Sequence, residues 1–173
     1  PGFGAERFDH VIVATHSDQA LGLLADASED EREILGAISY QENEVVLHTD
    51  SAILPRRRKV WASWNYRIPA KAQDGVVVTY DMNILQSLDV DREFCVTLNP
   101  SSDIDPQKVL RRMVYSHPVY TPKALDAQRR HGRISGVNRT HFCGAYWGNG
   151  FHEDGVNSAL AVCRHFGRGL DDA

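Results

Sequence analysis

Residues 8–14 read Phe-Asp-His-Val-Ile-Val-Ala, a nearly continuous apolar run rich in β-branched side chains. Such a run predicts a short strand buried on both faces, the environment of a parallel sheet. Thr15-His16-Ser17-Asp18 follows, and Ser17 or Asp18 is suited to cap a helix beginning near Gln19. Ser28, with Glu31 three residues on, fits a capping box for a second helix over residues 28–35.

From residue 37 to 98 the texture changes to strands, predicted over 44–49, 60–66, 76–81 and 93–98. Turn signals separate them: Leu54-Pro55, Ile68-Pro69, Asp74-Gly75 and Asn99-Pro100. Residues 82–88 are read as a short helix and 107–115 as a further strand. Pro122 suits the first turn of a helix running to about Arg130, and Gly132 and Gly136 mark a turn. Residues 140–147 read as a strand ending in small residues. Residues 153–166 read as a helix with apolar positions at Val156, Leu160, Ala161 and Phe166. Strand–helix texture at both ends, around a sheet-rich middle, predicts one α/β domain interrupted by another. The boundaries expected are 1–36 and 121–173 for the outer domain and 37–120 for the insertion.

The 173 residues carry 19 Lys plus Arg against 23 Asp plus Glu, a net charge of −4. That mild acidity argues against a nucleic-acid partner, which favours a strongly basic face. The three cysteines, Cys95, Cys143 and Cys163, show no CxxC spacing, so neither a disulfide framework nor a zinc knuckle is suggested. A reducing, cytoplasmic setting fits that usage, and Cys143 and Cys163 are expected to be buried. No apolar run approaches the roughly 18 residues of a membrane-spanning helix.

The block with the most chemical content is residues 140–166. A strand runs into Gly144, a loop carries Gly148 and Gly150, and a helix starts near Glu153-Asp154-Gly155. Glycines let backbone approach a ligand closely. A helix amino end offers unpaired N–H groups and partial positive charge. Both suit the pyrimidine edge of a reduced flavin, where negative charge gathers. The plain alternative is a strand–turn–helix whose acids only stabilise the helix start.

Phe142-Cys143-Gly144-Ala145 through Gly150-Phe151-His152-Glu153-Asp154-Gly155-Val156-Asn157-Ser158-Ala159 resembles the C-terminal FAD segment of the flavin amine oxidase superfamily. Phe8 to Thr15 resembles the family's second FAD-contacting strand, an apolar run ending in Ala-Thr. More narrowly, the chain is similar to bacterial predicted NAD/FAD-binding amine-oxidase-like proteins. The segments that carry this are 40–43 (Tyr-Gln-Glu-Asn), 47–50 (Leu-His-Thr-Asp), 61–66 (Trp-Ala-Ser-Trp-Asn-Tyr), 83–86 (Asn-Ile-Leu-Gln), 97–100 (Thr-Leu-Asn-Pro) and 150–155 (Gly-Phe-His-Glu-Asp-Gly).

The resemblance implies a Rossmann-like FAD domain, here partial, interrupted by a mixed-sheet substrate domain. It implies FAD as cofactor and hydride transfer from substrate carbon to flavin N5. Its cofactor-binding positions map onto Ala14, Thr15, Gly144, Ala145, Tyr146, Gly150, Glu153, Asp154, Gly155 and Val156. Phe151 falls where amine oxidases carry an aromatic facing the flavin, and Trp64 and Tyr66 are candidates to join it. Along a strand, Trp61 and Asn65 would face one side and Trp64 and Tyr66 the other.

Family members open with a strand, a Gly-x-Gly-x-x-Gly turn and a helix that holds the pyrophosphate. That motif does not occur, so the chain is expected to be a C-terminal fragment that needs an N-terminal segment of the same protein, and to be inactive alone. Residues 37–50 hold no lysine, whereas many amine oxidases place one on an early strand of the substrate domain. That absence argues against amine oxidation, while the basic run at 56–59 and the aromatic strand make an apolar or lipid-like small molecule the expected substrate, with a peroxide-forming amine oxidase and a non-catalytic ligand-binding remnant as alternatives. Arg56-Arg57-Arg58-Lys59 reads as a solvated turn or as a patch for anionic lipid heads. His16 reads as a surface or capping histidine. His141, His152 and His165 share no ligand spacing, so no metal is expected.

Overall fold

The computed structural model describes residues 4–68, 77–99 and 101–172. The turn signals Asp74-Gly75 and, in part, Ile68-Pro69 and Asn99-Pro100 lie outside these residues, as does Val76. In chain order the elements are β1 (Val11–Val13), α1 (Ser17–Leu23), α2 (Glu29–Leu35), β2 (Ser39–His48), β3 (Trp64–Arg67), β4 (Val77–Asp81), α3 (Met82–Gln86), β5 (Cys95–Leu98), β6 (Val109–Val119), α4 (Pro122–Arg129), β7 (Thr140–Phe142) and α5 (His152–His165). Helices and strands mix, and the sheets are of both kinds: a parallel pair β1-β7 and a five-stranded sheet ordered β3-β4-β5-β2-β6. The chain divides into two compact units, Pro1–Tyr40 with Pro118–Ala173, and Gln41–His117.

In the first unit β1 runs parallel to β7, with Val11 opposite Thr140 and Val13 opposite Phe142. Only Val13 of β1 is buried; Val11 and Ile12 are about half exposed. This corrects the expectation of a fully buried strand: the sheet has two strands, and the described residues do not cover the second face. The core gathers Val13, Ala20, Ile34, Leu35, Ile134 and Phe142. Arg130 holds Glu33 through two bonds of 2.7 and 2.9 Å, and Arg133 pairs with Asp30, tying α2 to α4 and the turn behind it. The capping box of α2 is present: Ser28 Oγ accepts from the Glu31 N–H, and Glu31 accepts from the Ser28 N–H at 2.7 Å.

Several boundaries differ from the sequence reading. The cap of α1 is His16, not Ser17 or Asp18; Gln19 Oε1 accepts from the His16 N–H at 3.3 Å. Ser17 is drawn into the first helical turn and buried, its N–H donating to Tyr40 Oη at 2.9 Å. β7 stops at Phe142, and residues 145–147 form a 3-10 turn, because Gly144 breaks the ladder. In α5 the covered positions are Ser158 and Val162, while Val156 is exposed, so the apolar positions read from the sequence are not the inner face. Cys143 is buried but Cys163 is only partly so.

β2, which enters the second unit at Gln41, starts at Ser39, earlier than expected, and pairs antiparallel with β5; β4 joins β5 to β3. The strand expected over 60–66 begins only at Trp64, since residues 58–60 form a 3-10 turn. Trp61 stands before the strand and its Nε1 donates to the Pro55 carbonyl at 2.6 Å. The inner face of this sheet is unusually polar. Asp50 donates its backbone N–H to His48 Nδ1 at 3.1 Å, so the neutral ring carries its proton on Nε2. That nitrogen donates to Thr97 Oγ1 at 2.8 Å, and Thr97 meets Thr79 Oγ1 at 2.8 Å. His48, Thr79 and Thr97 are all buried, so the chain of bonds removes what would otherwise be a large desolvation cost.

Candidate functional site

The parallel register fixes where two distant segments meet. One step past β7, the Cys143 N–H donates to the Val13 carbonyl at 3.0 Å. Ala14 and Thr15 therefore leave the sheet at the same end as Gly144 and Ala145. Ligands of open α/β sheets bind at the carboxyl ends of parallel strands. Ala14 is exposed and Thr15 partly so.

The loop that follows is shaped by what its glycines exclude. Gly144 has extended backbone, but a Cβ there would strike the Tyr146 ring. A Cβ on Gly148 would strike the Asp154 carboxylate. Gly150 has φ +90°, a conformation that L side chains rarely adopt, and its Cβ would lie 2.7 Å from Tyr120 Oη. Gln128 Nε2 donates to the carbonyls of Tyr146 and Gly148 at 2.8 and 2.6 Å, pinning the loop to α4.

The loop delivers the chain to the amino end of α5. Asp154 folds back, one oxygen accepting from the N–H groups of Asn149 and Phe151 at 3.0 and 2.9 Å. The first intrahelical bond runs from the Gly155 N–H to the Phe151 carbonyl, so the N–H groups of His152, Glu153 and Asp154 have no helical acceptor. A Cβ built on Gly155 would lie 3.8 Å from the Ala145 Cβ, an ordinary contact. Ser158 Oγ accepts from the Gly144 N–H at 3.0 Å, which fixes the helix against the strand end. Phe151, Glu153 and Val156 are exposed around this end.

Ala14, Thr15, Gly144, Ala145, Gly150, Glu153, Asp154, Gly155 and Val156 thus belong to one region of the first unit. Two candidates serve differently from their sequence reading. Tyr146 points into the core beside Ile38 and Ala124, and burial pushes its phenol well above the usual range. The Gly144 amide is committed to Ser158. Phe151 is in this unit, whereas Trp64 and Tyr66 are in the other, on the exposed face of edge strand β3; Trp64 meets Tyr80 edge-on at 5.8 Å.

Sequence reasoning missed an aromatic wall. His16 stacks on Tyr40 with ring centroids 4.5 Å apart and an interplanar angle of 14°. Tyr120 lies beside Gly150, its phenol raised by burial and then by the Asp154 charge. It also missed a cluster of His10, His141 and His165, with His10 Nδ1 3.2 Å from His141 Nε2 and Phe166 packed on all three rings. The spatial pairing of β1 with β7 is what brings His10 to His141. Among the described residues no group of three His, Cys, Asp or Glu is placed to hold a metal ion, and no helix is long and apolar enough to cross a membrane.

No protein-family model matches the chain, and no curated protein sequence matches it.

Proposed function

We propose that this chain is part of an FAD-dependent oxidoreductase of the flavin amine oxidase type, with a Rossmann-like cofactor domain, acting on an apolar or lipid-like substrate. The observation that carries the reading is the meeting of Ala14-Thr15 with the Gly144–Gly155 loop and helix start at the carboxyl end of one parallel strand pair. The donor set suits the group. The first-turn N–H groups of His152 and Glu153, which have no helical acceptor, favour negative charge with the helix dipole behind them. Gly155, lacking a side chain, lets a flat ring approach the backbone. Bound there, the flavin would supply the hydride acceptor, and the protein would supply orientation and charge stabilisation.

The residues of this chain have separate tasks. Ala14 and Thr15 would border the ring through backbone and a short side chain. Asp154 holds the loop closed and keeps Phe151 in place. Phe151, half exposed, would present an apolar surface to substrate. The exposed Arg56, Arg57 and Lys59 would meet anionic lipid heads where substrate is delivered. Glu153, exposed at the same helix end, adds negative charge that opposes the flavin's, so its neutralisation should favour binding.

The test is the colour of the protein purified from its own source without added cofactor. A flavin spectrum that bleaches on anaerobic addition of an apolar substrate supports the reading. Colourless protein whose spectrum and stability ignore added FAD sinks it.

A further inference from the structure

The second unit contains a cleft of about 470 Å³ whose walls include Arg58, Trp61, Asp81, Ile84, Leu88 and Glu93. Asp81, the last residue of β4, is fully buried. One of its oxygens caps α3 by accepting from the Ile84 N–H at 3.1 Å; the other, Oδ2, is buried with no hydrogen-bond partner. Glu93 stands beside it with a mostly covered side chain. Oδ2 gains a partner only when a proton or a cation enters between the two carboxylates; burial, and then Asp81, already raises the Glu93 carboxyl above its ordinary value. A buried carboxylate oxygen left in that state is costly, which makes it a sign of an absent partner.

The cleft already displays the kind of group it holds. The Arg58 guanidinium lies 5.0 Å from the Trp61 ring centroid and 3.6 Å from Glu93, yet the side chain is 81% exposed, so it covers the mouth loosely. Asn83 shapes the wall, donating to the Arg92 carbonyl and accepting from the Phe94 N–H. The lining also carries Ile84, Leu88, Val90 and the exposed Asp91. Acids, an indole face and aliphatic side chains in one cleft describe a pocket for a cation with an apolar tail. A bare metal ion is not favoured, since the lining acids Asp81, Asp91 and Glu93 are not grouped to hold one among the described residues.

We infer that this cleft binds an organic ammonium ion, its charge between Asp81 and Glu93 and its apolar part along Ile84 and Leu88. The inference does not depend on flavin binding, because all these residues belong to the second unit.

Calorimetric titration of the whole chain with 2-phenylethylammonium, with 2-phenylethanol as the neutral counterpart and 3-phenylpropanoate as the anionic one, tests it. The cation should bind saturably and the other two should not. Asp81→Asn retains the oxygen that caps α3 and should weaken the cation at least about tenfold, as expected when a charge-assisted bond is lost. Glu93→Gln, at the partly exposed partner, should weaken it as well. Absence of saturable cation binding overturns the inference. So does unchanged affinity in an Asp81→Asn protein that melts like wild type, or equal affinity for the alcohol. Should Asp81→Asn fail to fold, Glu93→Gln decides alone: affinity equal to wild type overturns the inference.

Discussion

At the scale of single residues, the glycines and histidines make opposite demands on the chain. Gly150 occupies left-handed backbone beneath Tyr120 Oη, so Gly150→Ala should cost about 1–3 kcal/mol, read as a lower midpoint in urea. Gly22 lies inside α1 with nothing within 4 Å of a built Cβ, and Gly22→Ala should add about 0.5–1 kcal/mol in the same assay. His48, His131 and His141 all titrate below the ordinary histidine value, chiefly because burial disfavours the charged ring. Their unfolded forms take up protons near pH 6.5, before the folded forms do. Their contribution to stability is therefore present above that value and is lost as pH falls from there toward the folded values. Thermal midpoints should drop between pH 7.5 and about 5.5. Glu93, raised by burial and by Asp81, acts in the opposite sense at lower pH. Replacing His48 with Gln isolates one contribution: it should flatten the pH dependence while costing about 2 kcal/mol at neutral pH, because Thr97 and the Asp50 N–H lose their partner.

At the scale of elements, local chemistry was legible wherever one residue decides a boundary. Ser28 and Glu31 announce α2 and form the box; Ser28→Ala should cost about 1 kcal/mol by thermal unfolding. Pro122 at the start of α4, with Thr121 capping, is equally plain. Legibility failed where a polar side chain faces inward. Ser158 sits on the covered side of α5 because it accepts from the Gly144 N–H, and no periodicity of apolar residues reveals that. Thr79, Asp81, Thr97 and His48 likewise line the inside of the antiparallel sheet, although alternation alone would send them to solvent. His16 caps α1 because Ser17 lies inside the first turn, its N–H donating to Tyr40 Oη and its Oγ to the Ile38 carbonyl, contacts across the unit.

At the scale of the whole chain, the mixture of parallel and antiparallel sheets follows from texture visible in the sequence, while the pairings that make sites do not. That β1 finds β7 could be suspected from the apolar run at 8–14; that this pairing also gathers His10, His141 and His165 could not. The Asp81 cleft was invisible for the same reason, since Asp81 and Glu93 are read separately as a strand end and a loop acid. The central claim concerns the first unit: the amino end of α5 and the end of β1 receive an isoalloxazine ring. Titration of the ¹⁵N-labelled chain with riboflavin, which carries the ring without the pyrophosphate that the glycine turn of the family holds, followed by amide resonances, tests it most directly. The account predicts saturable shifts confined in this unit to Thr15, Ala145 and residues 152–156. Unmoved resonances at those positions, with or without shifts elsewhere, would contradict it.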